Sequence, residues 1–377
     1  MADRVRMLTI EQPGMATFME VDEDPLPEGS FRLDTSYTGL SAGTELTFYK
    51  GTNPYLHATW DATLGLFRRD RPAVTYPVTE VGYMEVGRVR ETRTAAVSEG
   101  AMVAMAYGHR TSHIADPVTD HFVVLPADID PVLGIYLAHM GPICANGLLH
   151  AAADAVRGDV LQLGDGVRGR LVVITGAGVV GLLTGVFARH HGAAEVVVVD
   201  RTPQRLAAAA DLGLQVMDER DGDPAQRIKE RWRHATGDRG ADIVFQCRGQ
   251  TSYLALALQA LRPQGTVIDL AFYQKGAADV CLGEEFHHNG LTVRCAQISR
   301  VPRGLAHLWD RRRLSTETAN LLRARGEAIR RSLVTDVMAL DDAPALLDDL
   351  AERRRHVIQV VFEVPGSDDG SQTAAAS

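Results

Sequence analysis

Three glycines and one aspartate carry the strongest chemical signal in this sequence. Gly176, Gly178 and Gly181 form a GxGxxG turn directly after the apolar run LVVIT. Gly176 can make a tight turn, Gly178 lets the backbone approach a pyrophosphate, and Gly181 lets a helix pack closely on a strand. A second apolar run ends in Asp200, about 20 residues further on. This order of strand, glycine turn, helix, strand and acid predicts a dinucleotide-binding unit.

The same segment predicts how each part of a dinucleotide is held. The helix that begins with Val179 and Val180 presents free N–H groups and the positive end of its dipole to the pyrophosphate. The Asp200 carboxylate suits the adenosine ribose hydroxyls and would repel a 2′-phosphate, so we expect NAD as the cofactor. Arg201 and Arg205 follow directly and could accept that phosphate, which keeps NADP as the less favoured alternative.

Strands and helices alternate around the glycine turn. Short apolar runs rich in β-branched residues predict the strands, and amphipathic segments with capping residues predict the helices. The predicted strands are 171–175, 195–200, 214–217, 241–246, 266–270 and 292–297, and the predicted helices are 179–191, 203–212, 224–236 and 252–261. Six strands with interleaved helices predict a doubly wound parallel sheet, the Rossmann form of the α/β class.

Composition excludes several classes of function. The length of 377 residues favours two domains. The net charge of −9 disfavours binding to nucleic acid or to an anionic membrane surface. No apolar run approaches the ~20 residues that span a bilayer, and the N-terminus has no signal-peptide core. Four widely spaced cysteines indicate a reducing compartment, so we expect a cytoplasmic protein without a disulfide framework.

The segment before the nucleotide unit has a different pattern. From about residue 5 to residue 135, short alternating runs broken by Pro and Gly indicate a β-rich lobe. With the motifs TGLSAGTE, VGYMEVGRV, DHFVVLPADID and GADIVFQCRG, the chain resembles the medium-chain dehydrogenase/reductase superfamily over nearly its whole length. Within it the chain is similar to zinc-poor subgroups, including bacteriochlorophyllide hydroxyethyl dehydrogenase and bacterial sugar 3-dehydrogenases.

The resemblance implies two domains with a small-molecule substrate between them. A GroES-like β-rich catalytic domain would comprise residues 1–143 and 300–365, and a Rossmann NAD(P)-binding domain residues 144–299. Residues 366–377 contain no apolar side chain larger than Ala and predict a disordered tail. Members of the superfamily are commonly dimers or tetramers, which implies a homo-oligomer.

The residues that bind catalytic zinc in related enzymes are replaced in this chain. Ala42 stands at the position of the first ligand, a cysteine, and Tyr83 at that of the second, a histidine. Because a catalytic zinc site needs at least three Cys, His or carboxylate ligands, we predict that no zinc is bound. The alternative is a rearranged zinc site made of Glu45, His139 and another histidine.

Without a metal, the proton of the substrate hydroxyl needs another acceptor. Thr44 matches the hydroxyl residue that begins the proton relay of the zinc enzymes. A phenol at Tyr83 could act as the acid or base, or could only fill the space of the metal. Glu45 could orient the site or belong only to the turn, and His139 is a further candidate for acid/base chemistry or substrate contact. We interpret His109 and His113 as solvent-facing residues of the first lobe. Their HxxxH spacing is a weak signal for a metal site, because no helix presents the two rings on one face.

Further cofactor contacts are expected at the carboxyl ends of two later strands. Cys247 and Arg248 follow one of these strands, and Leu270 and Phe272 follow the next. Ligands bind at this edge of a doubly wound sheet, so these residues should flank the ribose and the nicotinamide.

These observations together predict a zinc-independent NAD-dependent oxidoreductase that interconverts a secondary alcohol and a ketone. The resemblance implies a sugar, a cyclitol or another polyhydroxylated substrate. One alternative is a quinone or enoyl reductase of the same superfamily, which reduces a C=C bond. A second alternative is a nonenzymatic protein that senses a dinucleotide.

Overall fold

The computed structural model describes residues 4–274 and 276–364. The chain divides into two compact units: unit 1 comprises Met1–His139 and Val334–Ser377, and unit 2 comprises Met140–Leu333. Unit 2 therefore extends beyond the 144–299 expected for the nucleotide domain. The predicted tail at 366–377 lies outside the described residues. Within the described ranges, no helix has the length and apolarity that crossing a membrane requires.

Strands are distributed over both units, and most of the helices lie in unit 2. The strands are β1 (Arg4–Gln12), β2 (Met15–Asp22), β3 (Phe31–Gly39), β4 (Thr59–Asp61), β5 (Leu66–Arg68), β6 (Glu85–Thr92), β7 (Met102–Met105), β8 (Ser112–Ala115), β9 (Val123–Val124), β10 (Leu171–Thr175), β11 (Glu195–Asp200), β12 (Gln215–Asp218), β13 (Arg233–Ala235), β14 (Asp238–Arg239), β15 (Ala241–Gln246), β16 (Leu261–Asp269), β17 (Thr292–Cys295), β18 (Val334–Ala339) and β19 (Gln359–Glu363). The α-helices are α1 (Ala42–Tyr49), α2 (Met140–Ala155), α3 (Val179–His190), α4 (Pro203–Asp211), α5 (Pro224–Arg231), α6 (Thr251–Ala260), α7 (Arg311–Ser332) and α8 (Ala343–Ala351).

Unit 2 is built on a parallel sheet of six strands, in the order β12-β11-β10-β15-β16-β17. Its central strands are apolar runs because helices cover both faces of such a sheet. Val173, Val197 and Val244 belong to one fully buried cluster on this sheet. The doubly wound α/β fold predicted from the sequence is confirmed, and β10, β11 and β15 have the predicted bounds.

One predicted helix is shorter than its pattern suggested. The segment 224–236 was expected to be helical throughout, but α5 ends at Arg231. Trp232 adopts an extended conformation and is buried, with its indole N–H donating to Glu195. The following residues form the small β13–β14 hairpin. Burial of one large side chain therefore decides where this helix ends, which local helix propensity does not reveal.

Unit 1 contains a seven-stranded mixed sheet, in the order β18-β19-β3-β6-β7-β9, with β8 also paired to β3. Antiparallel pairing places Thr38 of β3 directly opposite Glu85 of β6. Helices α1 and α8 and residues such as Leu8, Val360 and Phe362 form one of its cores. Helix α7, which the domain prediction assigned to the catalytic domain as part of 300–365, lies in unit 2.

Candidate functional site

The glycine turn of unit 2 connects β10 to α3. Gly176 has a φ of +98°, which only glycine adopts without strain, and its N–H donates to Val199 of the neighbouring strand. Gly178 precedes α3 as its capping residue, and a Cβ built on it has no atom within 4 Å. Gly178, Val179 and Val180 are all partly exposed. The first N–H groups of α3 therefore open onto free space, as a pyrophosphate would require.

Gly181 has the opposite environment. A Cβ at this position would lie 1.8 Å from the carbonyl oxygen of Gly176. The first turn of α3 can pack against the end of β10 only because Gly181 has no side chain. The two glycines thus have separable roles, one for the ligand space and one for the fold.

We expect Gly181→Ala to destabilise unit 2 by about 1–3 kcal/mol, because the methyl group collides with backbone atoms. Gly178→Ala should change the Tm by no more than about 2 °C, because two effects oppose each other. Alanine lowers the entropy of the unfolded chain, which stabilises the fold, but it caps a helix less well than glycine does. The Gly178 variant should nevertheless bind NADH and NADPH more weakly. Thermal melting and fluorescence titration of both variants check this. If both variants lowered the Tm equally and neither changed the affinity for NADH or NADPH, these assignments would be contradicted.

Asp200 ends β11 and is fully buried. One carboxylate oxygen accepts a hydrogen bond from the Ala177 N–H, and the other accepts from the N–H groups of Arg201 and Thr202, each at 2.8 Å. Burial raises the pKa of this carboxyl, but these N–H donors and the nearby Arg248 outweigh burial and leave the pKa below its ordinary value. Asp200 is thus ionised and fixes the glycine turn to the end of β11.

A polar network that the sequence did not reveal lies beside the predicted contacts on the later strands and includes the Arg248 carbonyl. Thr175 donates to the Gln246 side chain at 2.6 Å, and Gln246 donates to the Tyr273 hydroxyl at 3.0 Å and to the Arg248 carbonyl. Tyr273 in turn donates to Asp269. These bonds hold together the loops that follow β15 and β16.

The loops themselves carry the remaining predicted cofactor residues. Cys247 is partly buried, and burial raises the pKa of its thiol well above the ordinary value, so it is not a reactive thiolate. Leu270 packs against Gly147 of α2, whereas Phe272 is exposed. Phe272 therefore stands at a surface that a ligand could cover, while Leu270 shapes the loop. Their cofactor contacts stay predictions.

In unit 1, the AGTE segment forms the first turn of α1. Glu45 is buried, and its carboxylate accepts from the Ser41 N–H at 2.6 Å and lies 2.8 Å from His109 Nε2. Thr44 is partly exposed, and its carbonyl accepts from the Thr47 hydroxyl. Glu45 is therefore a structural anchor of this turn, and the relay role of Thr44 stays a prediction.

His109 joins two buried carboxylates that are far apart in sequence. Its Nδ1 lies 2.6 Å from the Thr38 hydroxyl, which donates to Glu85 at 3.0 Å. Burial lowers the pKa of His109, but Glu45 and Glu85 outweigh it and raise the pKa above its ordinary value. Burial raises the pKa of Glu85. The contacts are satisfied by an imidazolium that donates from both ring nitrogens.

The prediction that His109 and His113 face solvent is wrong. His109 is 2% exposed, and its ring packs so closely on Gly82 that a Cβ there would lie 2.9 Å away. His113 stacks on Tyr107 at 4.3 Å between ring centroids, and burial lowers its pKa to about 4. Strand pairing within unit 1, rather than local sequence, brings both rings inward.

Tyr83 follows Gly82 and is partly exposed. Its phenol oxygen is hydrogen-bonded to the Ser41 hydroxyl, and its ring lies 4.7 Å from that of His139. Ser41 was missed in the sequence, although it directly precedes the AGTE turn. The structure thus brings together Tyr83, His139 and Ser41, a set that can exchange a proton with a ligand.

These positions do not fit the zinc site of related enzymes. Ala42 offers no donor atom, and the phenol oxygen of Tyr83 is already paired with Ser41. Both Glu45 oxygens are hydrogen-bonded, one to the Ser41 N–H and the other to His109. Among the residues that the structure describes, no three or more His, Cys, Asp and Glu side chains form a metal-binding group.

Known proteins similar to this chain agree with its architecture. Residues 179–308 match the family described as zinc-binding dehydrogenase. D-guloside 3-dehydrogenase of Shigella flexneri is 23% identical over 90% of this chain and 94% of its own length. Sorbitol dehydrogenase 1 of Saccharomyces cerevisiae is 36% identical, over 28% of this chain and 30% of its own.

The fold is also that of solved dehydrogenases. A protein described as a zinc-binding dehydrogenase from Sinorhizobium meliloti 1021, bound to NADP, superposes with a TM-score of 0.72 at 20% identity, covering 96% of this chain and 99% of that one. The family match and the relatives that cover nearly the whole chain support a likeness to the zinc-binding dehydrogenases of the medium-chain dehydrogenase/reductase superfamily.

Proposed function

We propose that this protein interconverts a secondary alcohol and a ketone on a polyhydroxylated small molecule, using a nicotinamide dinucleotide and no zinc. The observation that carries the proposal is the open turn at Gly178, where the N-terminus of α3 meets the carboxyl edge of the sheet. Similarity to D-guloside 3-dehydrogenase over nearly the whole chain supports a sugar or polyol as the substrate. The expected cytoplasmic location and homo-oligomer stay predictions.

A bound nicotinamide dinucleotide supplies or accepts the hydride. In unit 2, the N–H groups of Val179 and Val180 would hold its pyrophosphate. The loop after β15, fixed by Gln246, and the exposed Phe272 would border its other half. NAD is the cofactor that the sequence favoured, and the NADP of the Sinorhizobium relative supports the alternative.

In unit 1, the Tyr83 hydroxyl would give a proton to the carbonyl oxygen during reduction and take it back during oxidation. Ser41, paired with that hydroxyl, would orient it and exchange the proton onward. The neighbouring ring of His139, when protonated, would stabilise a phenolate. Glu45 would act one step away by fixing the Ser41 backbone.

The proposal is tested by incubating the protein with NAD or NADP and a panel of sugars, sugar acids, polyols and cyclitols, followed by absorbance of the reduced cofactor. We expect oxidation of at least one polyhydroxylated substrate by protein that contains less than about 0.1 zinc per chain after dialysis against a chelator. If the protein contains one zinc per chain and loses its activity when that zinc is removed, the metal-free part of the proposal is overturned. Reduction of quinones or enones alone would overturn the alcohol assignment. Dinucleotide binding without turnover of any compound would favour a sensor.

A further inference from the structure

We propose that His109 is a positioning residue for the hydroxyl pair of Tyr83 and Ser41. It acts on this pair through Glu45 and Gly82, which belong to the two segments that carry the hydroxyl groups. The inference rests on the proposed function, because it takes Tyr83 as the group that exchanges a proton with the substrate. Three segments that are distant in sequence contact His109: the end of β3, the first turn of α1 and the loop before β6.

The first link connects His109 to Ser41. His109 Nε2 lies 2.8 Å from one carboxylate oxygen of Glu45, and the other oxygen accepts from the Ser41 N–H at 2.6 Å. A single buried carboxylate therefore joins the imidazole ring to the backbone of the residue whose hydroxyl pairs with Tyr83. Because Glu45 is held at both oxygens, Ser41 cannot shift without weakening one of these two hydrogen bonds.

The second link connects His109 to the residue directly before Tyr83. The backbone N–H of His109 donates to the Val81 carbonyl at 2.7 Å, which ties the two loops together. Gly82 has a φ of +100°, and a Cβ on it would lie 2.9 Å from both Cε1 and Nε2 of the His109 ring. The backbone of Gly82 thus has a conformation that favours glycine and lies directly against the imidazole. The direction in which the chain enters Tyr83 therefore depends on where this ring lies.

The opposite side of the ring is fixed as well. His109 Nδ1 lies 2.6 Å from the Thr38 hydroxyl, which donates to Glu85 at 3.0 Å. The other oxygen of Glu85 accepts from the Tyr107 N–H at 2.9 Å. With Glu45 on one ring nitrogen and Thr38 on the other, the imidazole cannot turn without losing a bond on each side. A side chain locked by packing and by hydrogen bonds in this way is what precise placement of a neighbouring site requires.

Loss of this support should lower the rate more than the binding of either ligand. A misplacement of about 1 Å can lower a rate by about 10²-fold. We therefore expect His109→Gln to lower kcat by about 10- to 100-fold, with little change in KM. The affinities for NADH and NADPH should not change, because the N–H groups of α3 are unaltered. Steady-state kinetics and fluorescence titration of the full chain give these values.

A double-mutant cycle separates positioning from a general structural role. In the Tyr83→Phe background the hydroxyl pair no longer exists, so His109→Gln should lower kcat further by less than about threefold. The same loss in both backgrounds would overturn the inference, because His109 would then act on something other than this pair. If His109→Gln does not fold, Thr38→Val replaces it in the cycle. That variant removes the hydroxyl on Nδ1, and its smaller loss of kcat should likewise disappear in the Tyr83→Phe background.

His113→Gln is the matched control. The His113 ring stacks on Tyr107, and its removal leaves the contacts of His109 with Glu45 and Gly82 in place. This variant should keep kcat within about twofold of the wild-type value. A loss as large as that of His109→Gln would overturn the inference, since any buried histidine of this lobe would then have the same effect.

A readout without turnover distinguishes the inference from the proposed function. In protein labelled with fluorotyrosine, the fluorine NMR resonance that is missing from Tyr83→Phe belongs to Tyr83. His109→Gln should shift or broaden this resonance, and His113→Gln should leave it in place. An unchanged Tyr83 resonance in His109→Gln would overturn the inference and leave the proposed function intact. A shifted resonance in a protein that turns over no compound of the panel would support the positioning by His109 and overturn the proposed function.

Discussion

Replacing Tyr83 with Phe is expected to lower kcat by about 10²- to 10⁴-fold, the usual contribution of a positioned acid or base. The substitution removes only the phenol oxygen, which is hydrogen-bonded to Ser41, and keeps the ring that packs beside His139. Dinucleotide binding should not change, because the substitution leaves the N–H groups that would hold the pyrophosphate unaltered. The measurement is steady-state kinetics with the best polyol or ketose from the substrate panel, together with NADPH titration.

The control and the pH dependence distinguish proton transfer from simple packing. Tyr76→Phe removes another phenol of unit 1, one that donates to the Phe48 carbonyl, and should leave kcat nearly unchanged. The Tyr83 variant should lose the pH dependence of kcat, whereas a packing defect would change KM and leave the pH profile in place. Ser41→Ala should lower kcat by a smaller factor than Tyr83→Phe. A Tyr83 variant with wild-type kcat would assign the proton to another group.

The nucleotide unit could be predicted closely because its signals are local. The runs 171–175, 195–200 and 241–246 are apolar and β-branched since both faces of the sheet are covered, and the structure gives them the predicted bounds. The spacing of Gly176 and Gly181 alone predicts the turn after β10 and the close packing of α3 against that turn. The direction of the Asp200 side chain was not predictable, because its partner Ala177 is distant in sequence.

The acid/base residues of unit 1 were only partly visible in the sequence. Tyr83 was identified because it replaces an expected zinc ligand. The roles of Glu45 and His109 were not, since their pairing spans 64 residues and depends on how β3, β6 and the loop before β8 assemble. A buried histidine and an exposed one look alike in a sequence without a regular period.

His109→Ala is expected to destabilise the protein by about 3–5 kcal/mol, because it removes the cationic partner of two buried carboxylates while leaving both in place. Thr38 would also lose the group that donates to its hydroxyl, and Gly82 would lose the ring on which it packs. His307→Ala is the matched control, since that ring is 57% exposed in its pair with Asp159 and should cost no more than about 1 kcal/mol. Thermal and urea unfolding of both variants give the comparison.

The pH dependence of stability gives this prediction its sign. The folded-state pKa of His109 is raised above its ordinary value of 6.5, and that of Glu85 is raised above 4.5. A group with a raised pKa stabilises the fold below its unfolded-state pKa, and this contribution is lost as the pH rises through the folded-state value. The contribution of Glu85 to wild-type stability should therefore decline from pH 4.5 upward and that of His109 from pH 6.5 upward, and His109→Gln should lack the second part of the slope. The same slope in both proteins would mean that His109 is neutral when buried. In that case Ser41 and Tyr83 are positioned by a hydrogen-bond network that contains no imidazolium.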